Sequence, residues 1–268
     1  MPDRALRIAP CIIVTRPQPQ ADAWVARLGA LGASACALPL LQVQDDPAFA
    51  PAVMQAWHDL AQRQLVMFVS PNAVLRFFAH RPAGQAWPQG VQAAATGPGT
   101  VAALREAGVP MTAIAAPRPD APRFDAEALW VDALSRRHWA GRSVLIVRGE
   151  AGRDWLADTL RQAGAEVHFL CAYRQQPPAW DAGARALLDA VAAQPQAHRW
   201  LFSSSSAIGH LSDYLAAHLA EAPLLAGVWA VPALATHPRI AETARAAGFV
   251  QVGQVPPDPQ AVLDALRR

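Results

Sequence analysis

The side chains with the greatest capacity for chemistry are arginines and hydroxyl residues grouped in six polar turns. Each turn follows an apolar stretch and precedes a helical pattern, and ligands of parallel sheets bind beyond the carboxyl ends of the strands. A guanidinium pairs with a carboxylate through two parallel hydrogen bonds, and serine and threonine bind through their hydroxyls. The candidate binding loops are Thr15-Arg16, Ser70–Asn72, Gly97–Thr100, Arg148–Glu150, Ser203–Ser206 and His237–Arg239.

The composition excludes several kinds of chemistry, because all 23 basic residues are arginine and none is lysine. Without lysine the chain has no amine for a Schiff base, no anchor for pyridoxal phosphate and no P-loop lysine. The net charge of +2, without a basic run, argues against nucleic-acid binding. The histidines show no HxxxH or HExxH spacing and the three cysteines form no CxxC, so no metal site is predicted.

The apolar runs and the start of the chain predict a soluble, cytoplasmic protein. The first residues lack the basic start and the long apolar core of a signal peptide. No run approaches the roughly 18 consecutive apolar residues of a membrane span. The 268 residues suffice for two modest domains or one large one, and we expect a monomer because no obvious apolar seam remains unpacked.

Strand and helix patterns alternate along the chain, and they repeat. In the first block, an apolar strand at Cys11–Val14 precedes a helix from about Pro19 to Leu31, which Gly32 ends. A second block of the same order begins with a strand at Val144–Val147, and there Gly164 matches Gly32. Two further pairs of segments match in the same order, which indicates a duplicated half. The matched pairs are 11–38 with 144–171, Leu65–Phe78 with Arg199–Leu211, and Ala95–Val109 with Ala235–Phe249.

Alternating strands and helices predict an α/β protein with parallel sheets that helices cover on both faces. The duplication predicts two similar flavodoxin-like or Rossmann-like domains with a cleft between them. Two extended, proline-containing segments at matching places, Leu38–Gln44 and Leu170–Pro177, predict a two-stranded linker. These patterns leave open whether the first strand–helix–strand piece stays with its neighbour or crosses to the other sheet.

Eight short pieces, spread over nearly the whole chain, match the blocks of one known family. They are Val14–Pro17, Pro39-Leu40, Phe68–Val74, Gly97–Gly108, Val147–Val167, Ala172–Arg174, Phe202–Ala207 and His237–Phe249. No single piece is specific to that family. Through their number and their order, the sequence resembles the uroporphyrinogen-III synthase family.

The resemblance implies a domain division and a reaction. Residues 1–38 would pack with 175–268, residues 43–170 would form the other domain, and 39–42 and 171–174 would be linker strands. The substrate of the family is hydroxymethylbilane, a linear tetrapyrrole that bears acetate and propionate groups. The product is uroporphyrinogen III, in which ring D is inverted, and the terminal hydroxyl leaves as water. The resemblance therefore implies a cyclising lyase of haem biosynthesis that uses no metal or organic cofactor.

The resemblance also implies roles for the polar residues. Tyr173, one of two tyrosines, matches a family tyrosine at the second link and is the predicted catalytic proton donor. Helix N-termini and arginines suit the carboxylates of the substrate. The alternatives left open are a packing role for Tyr173, helix capping for the hydroxyl residues, and ion pairs for the arginines with an acid such as Glu150. The predicted substrate-binding residues are Arg16, Ser70, Asn72, Thr100, Arg148, Ser203, Ser205 and Arg239.

Three positions depart from the pattern of the family. Val69 stands where a threonine is usual, and His237 and Ile240 replace a glycine and a threonine at the start of a second-half helix. A relative that kept the fold and lost the activity is therefore an alternative. A two-domain small-molecule-binding protein is another. A sugar- or nucleotide-binding transferase is a third, although the first turn lacks the glycine-rich loop that such a protein needs.

Overall fold

The chain divides into two compact α/β units. A computed structural model describes residues 9–150, 152–218 and 222–267, apart from the side chains of 222–225. One unit contains the described residues up to Gln42 and from Gln176 onward, and the other is Val43–Gln175. Each unit is built on one largely parallel sheet, so the predicted fold class of two similar parallel-sheet units is confirmed.

Strands and helices alternate along the described residues. The strands are β1 (Cys11–Val14), β2 (Ala35–Ala37), β3 (Gln42–Gln44), β4 (Leu65–Phe68), β5 (Gln92–Ala95), β6 (Ile114–Ala115), β7 (Ser143–Gly149), β8 (Glu166–Gln176), β9 (His198–Phe202), β10 (Ala233–Ala235) and β11 (Val252–Gln254). The helices are α1 (Gln20–Ala30), α2 (Ala50–His58), α3 (Pro71–Phe78), α4 (Pro98–Glu106), α5 (Ala126–Leu129), α6 (Trp155–Gln162), α7 (Ala182–Ala193), α8 (Ser205–His218), α9 (Ala222–Ala230), α10 (Pro238–Ala247) and α11 (Pro259–Leu266).

The first strand–helix–strand block agrees closely with its prediction. Helix α1 begins and ends within one residue of the predicted helix, and it buries Ala21, Trp24 and Leu28 on one face. The predicted helix ends at Gly32 and Gly164 are confirmed, since both glycines have positive φ angles, of 84° and 93°.

Strand β8 is longer than predicted. The sequence places its end at Cys171, but the strand continues to Gln176. The reason is its second neighbour, because β8 lies between β7 and β3 in the sheet and β3 provides further hydrogen-bonding partners. The segment predicted as the second linker strand is therefore the last part of β8, whereas the compact units meet in sequence at Gln42 and at Gln175.

The two sheets have matching strand orders. The order is β11-β10-β9-β1-β2 in the first unit and β6-β5-β4-β7-β8 in the second, with β3 added at the edge. The segments that match in sequence occupy matching places, namely β1 with β7, β9 with β4, and β10 with β5. The predicted duplication is therefore confirmed at the level of topology.

Helices cover both faces of each sheet, because successive residues of a buried strand face opposite sides. In β1, Ile12 and Val14 pack against α1 and α11, whereas Ile13 faces the core formed with α7, α8, α9 and α10. In the second unit, Phe68 belongs to an aromatic core in which the rings of Trp57 and Phe77 stack at 4.7 Å.

The chain leaves the centre of each sheet in two directions. From β9 it crosses to β10, and from β1 it crosses to β2 on the other side. In the second unit, β4 leads to β5 and β7 leads to β8, again in opposite directions. Such reversals leave a crevice beyond the strand ends where ligands bind. The boundaries β1/β9 and β4/β7 are therefore the places to examine for a site.

Candidate functional site

Three neighbouring strands of the second unit end in turns that the sequence marks as binding loops. Strand β4 leads to Ser70, β5 leads to Gly97, and β7 ends at Arg148 and Gly149. Because β4 pairs in parallel with both β5 and β7, the three turns lie at one edge of the sheet. We call this group, with Asn72, Thr100 and Tyr173, the second-unit edge.

Tyr173 lies in β8 opposite Gly149 of β7. Its side chain is 1% exposed, and its hydroxyl oxygen lies 3.0 Å from Oγ of Ser70. Burial raises the pKa of Tyr173, and the hydrogen bond with Ser70 opposes that shift. The phenol is therefore protonated at neutral pH and has a proton to donate.

Ser70 connects Tyr173 to the start of helix α3. It is the N-cap residue, and its Oγ accepts a hydrogen bond from the backbone N–H of Ala73 at 3.2 Å. That bond occupies one lone pair of Oγ and leaves the O–H and the other lone pair for Tyr173. The capping alternative for Ser70 is thus correct, and the same atom also touches the predicted catalytic tyrosine.

Gly149 provides the space that the Tyr173 ring occupies. A Cβ atom at position 149 would lie 2.9 Å from Cε2 of Tyr173 and 3.3 Å from Cζ. The sequence places Gly149 in a binding loop but does not show that a side chain at this position would clash with the Tyr173 ring. The clash arises only because β7 and β8 pair in this register. In the sequence, the one indication of a special role for Gly149 is its place at the end of a strand, directly after Arg148.

Arg148 of the second-unit edge and the nearby Arg174 have acidic partners. Arg148 pairs with Asp154, and its guanidinium carbon lies 4.7 Å from the centre of the Phe169 ring. The sequence offers Glu150 as the acid beside Arg148, but Glu150 pairs with Arg174 instead. Nε of Arg174 lies 3.0 Å from carboxylate oxygens of Glu150 and Asp46.

Asn72 and Thr100 lie in the first turns of two adjacent helices, α3 and α4. Both side chains are buried, with exposed fractions of 8% and 4%. A Cβ atom added at Gly99 would contact Cγ of Pro71 at 3.6 Å, which shows how closely the two helix starts approach. The first N–H groups of both helices therefore point toward the same edge, which suits an anion.

Three neighbouring strands of the first unit also end in predicted turns. Strand β1 leads to Arg16, β9 to Ser203 and β10 to His237, and β9 pairs in parallel with both of the others. Oγ1 of the buried Thr15 donates to the carbonyl oxygen of Leu201 at 2.8 Å and ties the ends of β1 and β9 together. We call this group, with Ser205 and Arg239, the first-unit edge.

Arg16 differs from the arginines of the second-unit edge. Its guanidinium lies 4.5 Å from the centre of the Trp24 ring, and within residues 9–150, 152–218 and 222–267 it forms no ion pair. Its Nε atom is buried and has no hydrogen-bond partner among those residues. Burial, with a contribution from Arg27, lowers the pKa of Arg16 to about 10, so the group is charged at neutral pH. A half-buried cation with no acid paired to it among the described residues favours binding of an anion.

The serines of the first-unit edge have different roles. Ser204, rather than either serine predicted to bind, caps helix α8, and its Oγ accepts from the backbone N–H of Ala207 at 3.4 Å. Ser203 is half-buried directly after β9. Ser205 is exposed, and its Oγ lies 3.0 Å from Oγ1 of Thr243 in α10. Ser204 and Ser70 are each the second residue after a strand-ending phenylalanine. This match in the sequence indicates that Ser204 is the capping serine, and the sequence-based prediction missed it.

Helix α10 begins at the two positions that depart from the family pattern. His237 is its N-cap, and the ring nitrogen Nδ1 accepts from the backbone N–H of Arg239 at 3.2 Å. His237 therefore caps this helix. Ile240 is 8% exposed and packs in the hydrophobic core, so the position that matches Thr100 offers no hydroxyl.

The part of the chain that the structure describes contains neither a metal-binding cluster nor a membrane-spanning helix. No group of three or more histidine, cysteine or acidic side chains there is arranged to hold a metal ion. None of the helices described above is both long enough and apolar enough to cross a membrane.

The fold and the site define a class, an α/β protein of two repeated parallel-sheet units whose polar residues gather at the strand ends. A sequence model of the family described as uroporphyrinogen-III synthase HemD matches residues 22–261. The chain belongs to the uroporphyrinogen-III synthase family, and the resemblance read from the sequence is confirmed.

Individual relatives agree with this assignment. The chain is 32% identical over 180 residues to the uroporphyrinogen-III synthase of Salmonella typhimurium, which covers 66% of this chain and 69% of the relative. It is 32% identical over 167 residues to the uroporphyrinogen-III synthase of Escherichia coli K12, and this match covers 61% of this chain and 64% of the relative.

Two solved structures share the fold. A mutant uroporphyrinogen III synthase from the extremely thermophilic bacterium Thermus thermophilus superimposes with a TM-score of 0.60 at 19% identity, over 97% of this chain and 98% of that one. The Helicobacter pylori 26695 uroporphyrinogen-III synthetase superimposes with a TM-score of 0.54 at 15% identity, over 96% of this chain and 97% of that one. At these identities the comparison concerns the fold alone.

Proposed function

We propose that the chain is a uroporphyrinogen-III synthase that cyclises hydroxymethylbilane with inversion of ring D and loss of water. The family match and the curated relatives support a cyclising lyase of haem biosynthesis that acts on a tetrapyrrole. The structural observation that carries the proposal is the 3.0 Å contact between the hydroxyls of Tyr173 and Ser70, beside the ends of β4 and β7.

The first chemical step needs a proton, because the terminal hydroxyl leaves as water. Tyr173 donates that proton to the leaving oxygen, whose bond to carbon breaks with both electrons on oxygen. Ser70 keeps the phenol oriented, and its O–H stabilises the phenolate that remains. The phenolate takes back a proton when the closed ring loses one, so the tyrosine is regenerated. No group outside the chain is needed for this proton balance.

The substrate carries acetate and propionate groups, and the strand-end loops provide groups that bind such carboxylates. The guanidinium of Arg16 is the strongest candidate, since no acid pairs with it within the described ranges. The N-termini of α3, α4, α8 and α10 add backbone N–H groups. The residues proposed to bind substrate are Arg16, Ser70, Asn72, Thr100, Arg148, Ser203, Ser205 and Arg239.

Arg148 is paired with Asp154. To bind a carboxylate of the substrate, its guanidinium must either contact both carboxylates or release Asp154. The Asp154 side chain is 54% accessible and that of Arg148 is 13% accessible, so solvent reaches the ion pair from the Asp154 side and weakens it. A substrate carboxylate is therefore able to compete with Asp154. Much of the rate comes from holding one folded conformer of the flexible tetrapyrrole.

Four statements about the protein remain predictions from the sequence. They are the domain division at 39–42 and 171–174, the cytoplasmic location, the monomeric state, and function without a cofactor or a nucleic acid. Size-exclusion chromatography with light scattering measures the oligomeric state directly. A mass of one chain is the expected result.

A fold-sharing relative without activity is the second hypothesis. The buried Ile240 favours it, because an alkyl side chain stands where the family carries a threonine. The two hypotheses differ in the isomer formed from hydroxymethylbilane, because closure without inversion of ring D gives the type I isomer. We expect the purified protein to form mainly the type III isomer, faster than closure in buffer, as separated by chromatography after oxidation to porphyrins. Type I alone, at the rate of the buffer control, would reject the proposal.

A further inference from the structure

Two cysteines meet in the first unit, outside the residues proposed for the synthase reaction. Cys11 begins β1, and Cys36 is the middle residue of the neighbouring strand β2. Their Sγ atoms lie 3.6 Å apart, and all three cysteines of the chain are free thiols. Cys11 precedes Arg16 by five positions at the opposite end of β1, or roughly 16 Å of extended strand.

The register of the sheet explains why these sulfurs meet. Strands β1 and β2 are parallel, with Ile13 opposite Cys36. Side chains alternate along a strand, so Cys11 and Ile13 share a face and Cys11 is the diagonal neighbour of Cys36. Strand β2 is the last strand of its sheet, and both cysteines are only half-buried. The contact is therefore within reach of small molecules from solvent.

The surroundings give the two sulfurs different properties. The contact with Cys36 lowers the pKa of Cys11 to about 6 against the opposing effect of burial, and Ser34 and His198 lower it further. The same contact raises the pKa of Cys36. His198 lies opposite Cys11 across the β1–β9 pairing, and its Nδ1 donates to the carbonyl oxygen of Gln194 at 2.9 Å. The contact between the sulfurs therefore favours loss of the proton from Cys11, while Cys36 keeps its hydrogen.

We propose that Cys11 and Cys36 form a reversible oxidation site, at which a hydroperoxide converts two thiols into a disulfide that joins β1 to β2. The 3.6 Å contact carries the proposal, because it presents a nucleophilic sulfur beside a second sulfur that is able to resolve its oxidised form. Cys171 lies in the other unit, and its sulfur contacts the carbonyl oxygen of Tyr173 rather than another thiol.

The step balances in atoms and electrons. The Cys11 thiolate attacks one oxygen of hydrogen peroxide, the O–O bond breaks, and the leaving hydroxide takes a proton to become water. The sulfur of Cys36 then attacks the sulfenic acid at Cys11, the S–O bond breaks, and the OH leaves with the Cys36 proton as a second water. The two thiols lose two electrons and two protons, which the peroxide accepts.

The disulfide requires movement of the backbone as well as of the two sulfurs. The sulfurs must approach by about 1.5 Å, from 3.6 Å to the length of a disulfide bond. Diagonal neighbours of a sheet lie about 7–8 Å apart, which exceeds the Cα separation of most disulfides. Strand β2 has three residues and, as an edge strand, a sheet neighbour on one side only, so we expect this strand to shift.

The test counts thiols in the whole protein after exposure to hydrogen peroxide. The excess peroxide is removed, the protein is denatured, and free thiols are titrated with a chromogenic thiol reagent. We expect the three thiols to fall to one, non-reducing peptide mapping to locate a link between Cys11 and Cys36, and a dithiol to restore all three. Retention of all three thiols, or a link that involves Cys171, would overturn the proposal.

Three variants separate the roles of the sulfurs. Cys36→Ser removes the resolving thiol, so Cys11 is expected to accumulate a sulfenic acid that a cyclic diketone probe labels. Cys11→Ser removes the nucleophile, and we expect neither label nor thiol loss. Cys171→Ser is the matched control, and it is expected to lose its two remaining thiols at the wild-type rate. Equal labelling of the Cys11→Ser and Cys36→Ser proteins would contradict the assigned roles.

Discussion

The two strand-end edges have the same topological origin but different internal bonding. In the second-unit edge Tyr173 contacts Ser70, and Arg148 pairs with the nearby Asp154. In the first-unit edge Arg16 has a buried Nε without a hydrogen-bond partner among the described residues. The two units thus share the positions of these loops but differ in the bonds that their side chains form.

From this difference we infer that the second-unit edge transfers a proton and the first-unit edge binds the carboxylates of the substrate. Bonds within the protein fix a side chain in one position, as a proton donor needs. A cation without an internal acid has its binding capacity available for a ligand. The position that matches Tyr173, nine residues after the matching glycine, is the buried Leu41 in the first unit, which cannot transfer a proton. We therefore expect changes in the second-unit edge to affect turnover and changes at Arg16 to affect binding.

The largest effect is expected from Tyr173→Phe. Loss of the proton donor is expected to lower kcat by about 100-fold. The lost hydrogen bond to Ser70 costs about 1 kcal/mol of stability, so the variant still folds. Tyr214→Phe is the matched control, because Tyr214 stacks on Trp180 at 4.0 Å in the first unit, and its turnover is expected to equal that of the wild type. Unchanged turnover in Tyr173→Phe would remove this residue from the mechanism.

Gly149→Ala tests whether the position of Tyr173 matters as well as its hydroxyl. The new methyl group would lie 2.9 Å from the ring, so the ring or the strand must move. We expect a loss of about 1–3 kcal/mol in the free energy of unfolding and a fall in kcat of about tenfold. Gly209→Ala in helix α8 is the control, because a Cβ there meets nothing within 4 Å. A Gly149→Ala enzyme with normal kcat would show that the ring position is unimportant.

Arg16→Gln tests the binding role of the first-unit edge. Loss of one charge-assisted contact with a carboxylate is expected to raise KM by about tenfold, since such contacts contribute about 1.5–3 kcal/mol. Arg27→Gln removes a second arginine that contacts the Trp24 ring, but Arg27 is 60% exposed, and its KM is expected to stay at the wild-type value. An equal effect of both substitutions would mean that general charge, rather than Arg16, attracts the substrate.

The smallest effect is expected from Thr100→Val, which removes a buried hydroxyl and keeps the shape of the side chain. We expect kcat/KM to fall by about threefold, the equivalent of one weak hydrogen bond. Ile240→Thr makes the opposite change in the first unit, and it is expected to lower stability by about 1 kcal/mol without raising the rate. A faster Ile240→Thr enzyme would show that the missing hydroxyl limits this chain, and it would weaken the proposed division.

Much of the fold was visible in the sequence, because repeated strand–helix blocks leave strong local patterns. Cys11–Val14 and the glycines that end the helices were predictable from alternation and turn chemistry alone. The full length of β8 was not, since its last residues depend on β3, which is distant in the chain. The local sequence pattern predicts that a strand or helix exists, whereas the pairing of a strand with its neighbours determines where that strand ends.

The site was predictable as a set of loops but not as a set of contacts. The sequence identified Tyr173 and Ser70 separately, and only the register of β7 with β8 brings them together and shows the need for Gly149. The alternative reading of Arg148, an ion pair with an acid such as Glu150, did not identify Asp154, the acid with which Arg148 pairs, whereas Glu150 pairs with Arg174. Side-chain partners depend on directions that residue spacing does not contain.

The most direct test of the division between the two edges is a side-by-side measurement of kcat and KM for Arg16→Gln and Tyr173→Phe with hydroxymethylbilane. The account predicts that Arg16→Gln raises KM at nearly constant kcat, while Tyr173→Phe lowers kcat at nearly constant KM. If both substitutions change the same parameter, or if Arg16→Gln alone lowers kcat, the proposed division between binding and proton transfer is contradicted.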